Sequence, residues 1–233
     1  MNIKDLKSIV TSLGNYIWVT LLATDNFVQG VLNLNNSLKN VQSKYNLIVI
    51  ATNNLSEDTF NILKQEQIQY RVFPYVSFFC NEGRNRKYWT NPEDGNRNTW
   101  WDCTLAKNYM FLFTEYDKVC YLDADLEFLE NCDEYFDFPT PSAFAAPHSE
   151  GMNGGVILIR PNIDHYFQCM NIAMQFGIIN DEMVWWKWKP KFKTEMLNHH
   201  FPICDMYVAS SGEDKRKILH HDGFDKPWLK TEN

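Results

Sequence analysis

The sequence predicts an α/β fold with a mostly parallel central sheet flanked by helices, and three observations carry that expectation. Short apolar runs alternate with segments of helical periodicity between Tyr16 and Phe73. Val119-Cys120-Tyr121-Leu122 is apolar on both alternating faces, as a strand buried inside a parallel sheet must be. The 233 residues, 45% of them hydrophobic, suffice for one substantial core and fall under the roughly 250 residues at which chains divide. A single domain over residues 1–233 is therefore expected.

In chain order, Tyr16 to Ala23 reads as a strand, and Thr24, Asp25 and Asn26 after it offer turn and capping chemistry. Phe27, Val31, Leu34 and Leu38 recur at helical spacing. Leu47 to Ala51 reads as a second strand, Ser56 to Gln67 as a helix capped by Ser56, and Tyr70 to Phe73 as a third strand, so the start of the chain is a run of βαβ units. Cys80 to Asn98 lacks periodicity and reads as a long, flexible surface loop from which Arg84, Arg86, Lys87 and Arg97 could reach a phosphate. Thr99 to Phe113 is expected to be helical and to lead into the strand at Val119. Beyond it come a polar stretch through Asp137, an apolar segment from Ala143 to Ala146, a glycine-opened strand from Met152 to Ile159, and helices over Ile163 to Phe176 and Asp181 to Trp188.

Two acids end the central strand. In extended geometry Asp123 and Asp125 point to one face, roughly 7 Å apart, and at an effective dielectric near 20 their repulsion is about 2 kcal/mol, which a divalent cation would remove. Hard oxygen ligands favour magnesium, manganese or calcium, and in open α/β sheets ligands bind beyond the carboxyl ends of strands. A calcium loop is the rival reading, because Asp123, Asp125, Glu127, Asn131 and Glu134 fit its spacing; Phe128 stands where that loop needs glycine. Near the other end, Ile218 to Trp228 carries His220 or His221 as a third ligand, Gly223 as a bare backbone amide and Lys226 as a point charge for a diphosphate. Gly154 and Gly155 remove side chains at a strand mouth and permit close approach.

Net charge of −7 gives no electrostatic footprint for nucleic acid or an anionic membrane. No run approaches the ~20 residues of a membrane span, and the charged start lacks a secretory signal. Six cysteines without a Cys-x-x-Cys pair read as reduced, buried thiols, which fits a cytoplasmic location. Oligomeric state stays open, a homodimer among the options.

Four blocks in order carry a resemblance: Val19-Thr20-Leu21 with Asp25 and Gly30; Tyr121-Leu122-Asp123-Ala124-Asp125; Asn153-Gly154-Gly155-Val156; and the nine residues from His220 to Trp228. From about residue 16 to 229 the chain resembles the glycogenin-type glycosyltransferases of family 8, whose domain is the Rossmann-like GT-A fold. The resemblance implies a retaining, metal-dependent UDP-sugar glycosyltransferase that moves a hexose to a glycan, protein or small hydroxyl acceptor, with Mn2+, or Mg2+ in its place. It matches Asp123, Asp125 and His220 to the metal ligands, with Ala124 between the acids. Gly223 and Lys226 match diphosphate contacts, and Leu21, Thr24 and Phe27 the uridine contacts, Phe27 replacing a more usual Tyr. Lys107, Asn153 and Asp181 match catalytic positions beside the phosphates and sugar, next to Gly154. Arg97 lies one position from a further family cation, and Glu182 stands where the family has Gln. A catalytically inactive UDP-sugar- or glycan-binding protein of the same fold remains the alternative, motivated by Glu182 and by tryptophans such as Trp185, Trp186 and Trp188 that read as exposed.

Overall fold

The computed structural model of the chain describes residues 14–76, 103–143, 154–177, 181–188, 217–221, 226 and 228. Alternation of strand and helix from the start of the chain gives β1 (Tyr16–Leu22), α1 (Val28–Asn40), β2 (Leu47–Thr52), α2 (Glu57–Gln65) and β3 (Gln69–Phe73). There follow β4 (Lys118–Leu122), β5 (Leu126–Phe128), β6 (Ser142–Ala143), β7 (Val156–Ile159), α3 (Ile163–Phe176), α4 (Asp181–Trp188) and β8 (Ile218–His220). Ser56 caps α2, its hydroxyl accepting from Thr59 N at 3.3 Å, and Glu57 and Asp58 in the first turn with Lys64 in the last complement the helix dipole. Asn162 caps α3 in the same way, and Gly177 ends it in the left-handed conformation, with φ of 61°.

A six-stranded sheet runs in the order β3-β2-β1-β4-β7-β6. The three pairings from β3 to β4 are parallel and the two made by β7 are antiparallel, so the sheet is mostly parallel as its apolar strands require. After β3 the chain returns to lay β4 on the far side of β1, which places a topological switch point between the carboxyl ends of β1 and β4. A separate two-stranded ribbon pairs β5 with β8.

Burial explains the composition. Trp18, with no exposed surface, sits between Phe128, Tyr135 and Phe136, and donates its indole N–H to Ser43 Oγ at 2.8 Å. Trp185 is likewise buried, and Trp188 packs against Phe111 and His165, so these residues belong to the core rather than to an exposed aromatic platform.

The structure refines three details of the sequence reading and excludes its rival, the calcium loop. The helical segment expected over Thr99 to Phe113 takes the 3-10 form at Thr104–Leu112; Asn108 Nδ2 donates to the Leu105 carbonyl at 3.0 Å, the side-chain competition that disfavours an α turn. The polar stretch after Asp125 contains β5, whose three residues are too few to show a period. Phe128 lies in that strand and Val119 to Leu122 in β4, an arrangement incompatible with the helix–loop–helix of a calcium module. The acids themselves do not lie on an extended run: the chain turns at Ala124 and Asp125, and Leu126 N donates to the Asp123 carbonyl at 3.3 Å. The loop over 80–98, with Arg84, Arg86, Lys87 and Arg97, and residues 144–146, 152 and 153 lie outside the described residues.

Helix α1 buries Gly30, Val31, Leu34, Ser37 and Leu38, and Ser37 Oγ accepts from Phe128 N at 3.0 Å, which ties α1 to β5. Gly30 makes this approach possible, because a Cβ there would lie 2.6 Å from the Ala124 carbonyl oxygen and 2.8 Å from Trp228 Cζ2. Gly30→Ala is therefore expected to destabilise the fold by about 1–3 kcal/mol through overpacking, although alanine alone favours a helix by about 1 kcal/mol. Urea unfolding followed by circular dichroism measures the net sign.

Candidate active site

Strand geometry gathers the polar residues at the switch point. Tyr121 and Leu122 carry β4 to its end, and the ladder with β7 extends one step further through Asp123 N, which donates to the Gly155 carbonyl at 2.8 Å. This lays Gly154 and Gly155 beside Asp123. In the ribbon, Leu126 stands opposite His220, and His221 N donates to the Asp125 carbonyl at 3.0 Å, so register alone delivers the histidine to the acids.

One ligand atom from each of Asp123, Asp125 and His220 lies within 4.8 Å of the others. His220 Nε2 is 3.2 Å from Asp125 Oδ1, a buried oxygen for which, among the described residues, this imidazole alone is a candidate donor. A buried lone pair, a second carboxylate and an imidazole form a hard N,O donor set that fits a divalent cation such as manganese or magnesium. His221 turns away, with Nε2 3.1 Å from Glu127 Oε2.

Two lysines answer the acids. Lys226, almost wholly buried, donates from Nζ to Asp125 Oδ2 and, at 2.5 Å, to the His221 carbonyl. Burial works to raise the Asp125 carboxyl, but His220 and Lys226 outweigh it and hold it at about 2. Lys107 Nζ lies 2.8 Å from Asp123 Oδ1 and 3.1 Å from Asp181 Oδ2. Burial alone would lower this ammonium; the Asp123 and Asp181 charges, and then Tyr121, overcome that and hold it well above its ordinary value. Asp123 is pushed up, chiefly by burial and against the pull of Lys107, with Asp125 adding repulsion. Tyr121 donates its hydroxyl to Asp123 Oδ1 at 3.0 Å.

Asp181 and Glu182, in the first turn of α4, close the side next to β7. Asp181 is 2% exposed, and its Oδ2 is held by the Lys107 charge without a hydrogen bond among the described residues. Glu182 Oε1 accepts from Gly154 N at 2.6 Å. A Cβ on Gly154 would meet Asp181 Oδ2 at 2.9 Å and Trp185 Cζ3 at 3.2 Å, so only glycine lets β7 approach α4. Trp185 Nε1 donates to Asn108 Oδ1 at 2.8 Å, joining α4 to the segment that carries Lys107.

On the β1 side, Leu21 lies near the strand end, Thr24 adopts the extended geometry that precedes a short 3-10 turn (Asp25–Phe27), and the Phe27 ring meets Trp228 edge-on, centroids 6.3 Å apart. The sequence reads Asp25 as a turn and capping residue and as part of the first block of the resemblance. Its Oδ1 accepts from Ser56 N, Ser56 Oγ and Thr59 Oγ1 at 3.0, 3.0 and 2.5 Å, pinning the turn to the start of α2. The Thr59 bond, ahead of burial acting the other way, leaves its carboxyl below the usual range. Asn108 escaped the sequence reading and Tyr121 entered it only as a strand and block residue, since a mid-segment Asn and a strand Tyr look like ordinary packing residues. Of the residues singled out from sequence, Leu21, Thr24, Phe27, Lys107, Asp123, Ala124, Asp125, Gly154, Asp181, Glu182, His220 and Lys226 are described; Arg97, Asn153 and Gly223 lie outside the described residues.

Comparison with known proteins agrees with this architecture. Glycogenin-1 of Caenorhabditis elegans is 27% identical over 227 residues, covering 91% of this chain and 50% of that protein. Glycogenin-1 of Homo sapiens is 26% identical over 229 residues, covering 92% of this chain and 62% of the other, so the chain spans between half and two thirds of the length of these relatives. Among solved structures, the glycosyltransferase GlyE of Streptococcus pneumoniae superposes with a TM-score of 0.59 at 15% identity, over 94% of this chain and 58% of that one, which is a likeness of fold. The profile of "Glycosyl transferase family 8" matches residues 18–150. With more than half of its length matched, including most of β1 and the Asp-x-Asp turn, the chain belongs to glycosyl transferase family 8.

Proposed function

We propose that the chain is a retaining glycosyltransferase that moves a hexose-type sugar from a UDP-sugar to the hydroxyl of a glycan, protein or small-molecule acceptor, with Mn2+ held by Asp123, Asp125 and His220. One observation carries the reading: three metal-type ligand atoms within 4.8 Å of one another meet two buried lysines at the switch point of a family 8 sheet. A bound divalent cation would neutralise the diphosphate and stabilise it as a leaving group.

The chain's own groups supply the rest. Leu21, Thr24 and Phe27 line the end of β1, where they would flank the uridine, and Asp25 fixes that turn. Lys226 and Lys107 place ammonium charges at the acids, where negative charge grows as the sugar–phosphate bond breaks. Gly223 would add a backbone amide to the diphosphate, and Arg97 and Asn153 would complete the phosphate and sugar contacts. Asp181, linked through Lys107 to Asp123, would face the sugar as it gains oxocarbenium character and stabilise that charge. The burial of Trp18 and Trp185 removes part of the motive for a purely glycan-binding protein.

Purified protein with manganese and a panel of UDP-sugars should release UDP, and Asp125→Asn should lower that release at least 100-fold with an unchanged circular dichroism spectrum. Full activity in the variant would exclude the metal role, whereas UDP binding without release from any donor would favour the inactive binding protein. Lys107→Met should lose both turnover and about 3 kcal/mol of stability, because it strands the Asp123 and Asp181 carboxylates without their cation. Parallel activity and denaturation measurements check both halves.

A further inference from the structure

Among the described residues, the inner wall of the site carries more carboxylate than cation. Asp181, Glu182 and Asp123 share Lys107, while Lys226 is taken up by Asp125. Glu182 is anchored: Gly154 N donates to its Oε1 at 2.6 Å, and its Cγ lies 3.3 Å from where a Gly154 Cβ would be, so the side chain is fixed against the β7 mouth next to Asp181. Ionised carboxylates only accept hydrogen bonds, so this wall suits a ligand rich in hydroxyl donors. A ligand carrying its own carboxylate would meet like charges and, among the described residues on this wall, no spare cation.

We infer that Glu182 is a specificity-determining residue that makes the donor site accept an uncharged hexose and reject a uronic acid. The inference rests on the proposed UDP-sugar reading, which puts the sugar beside Asp181 and Glu182. A glutamine of the same size would keep the acceptor for Gly154 N and add an N–H donor for a carboxylate, removing the repulsion without changing the shape. Burial first, and then the Asp181 charge, push the Glu182 carboxyl up to about 7, with Gly154 N and Lys107 pulling it down and Asp123 adding to the rise. The groups facing it are thus Asp181 on α4, Lys107 on the 3-10 segment, Asp123 at the end of β4 and the backbone N–H at β7. Above about pH 7 the added charge sharpens rejection of a uronate; below it the neutral acid relaxes that rejection.

Calorimetric titration with UDP, UDP-glucose and UDP-glucuronate in the presence of manganese, at pH 6 and pH 8, tests this on wild type and on Glu182→Gln. The expected result is at least tenfold tighter wild-type binding of UDP-glucose than of UDP-glucuronate at pH 8, a smaller ratio at pH 6, and a Glu182→Gln ratio at least fivefold lower and independent of pH. Equal binding of both donors by wild type, or an unchanged ratio in the variant, overturns the role of Glu182 while UDP binding upholds the site. Failure of wild type to bind UDP at all overturns the site and the inference with it. Where Glu182→Gln does not fold, Glu182→Ala, which removes the carboxylate outright, keeps the test decisive: it should lower the pH 8 ratio likewise, and an unchanged ratio overturns the inference.

Discussion

Compensation of buried carboxylate charge at the ends of β4 and α4 is the constraint on which the site depends. Asp123, Asp125 and Asp181 cannot all remain ionised in a poorly hydrated cleft without partners, and the fold answers with lysines from two distant stretches of chain, Lys107 and Lys226. Neither lysine is a surface residue that happens to reach inward; both are buried. A partly compensated arrangement of this kind has room for one more positive centre, which Asp125 Oδ1 and His220 are positioned to hold.

The partners arrive by backbone register instead of by flexible reach. The β5–β8 ribbon sets His220 opposite Leu126 and aligns the His221 amide with the Asp125 carbonyl, so a segment more than ninety residues downstream is locked to the acidic turn by main-chain hydrogen bonds. The ribbon in turn rests on α1 through Ser37 and Phe128, and α1 can lie so close only because Gly30 has no side chain to meet Ala124. A change on α1 is thereby felt at the Asp123–Asp125–His220 cluster.

Much of this was legible in the sequence because the signals were strong and local. Apolar runs marked β1, β2 and β4, Ser56 announced its own cap, and helical spacing located α3 and α4. The acid pair and the histidine were readable through residue chemistry together with family likeness. What escaped was of two kinds. Three-residue strands such as β5 and β8 hold too little pattern to be seen, and their existence is decided by pairing across the chain. Trp185 and Trp188 misled because a Trp looks the same in a core and on a platform; burial of Trp185 is settled only by what lies opposite.

What lies opposite Trp185 is Asn108, and their hydrogen bond links the packing of the core to the chemistry. Asn108 follows Lys107 directly, and Trp185 is one helical turn beyond Asp181, so a single buried contact of 2.8 Å holds in register the two elements that present the ammonium and the carboxylate. The 3-10 geometry of Thr104–Leu112 belongs to the same arrangement. Asn108 spends its amide nitrogen on the Leu105 carbonyl and its oxygen on the indole, giving up regular α-helical geometry to bridge both. The Asn108 side chain satisfies the core on one side and its own backbone on the other, which restricts the neighbouring Lys107 where it meets Asp181.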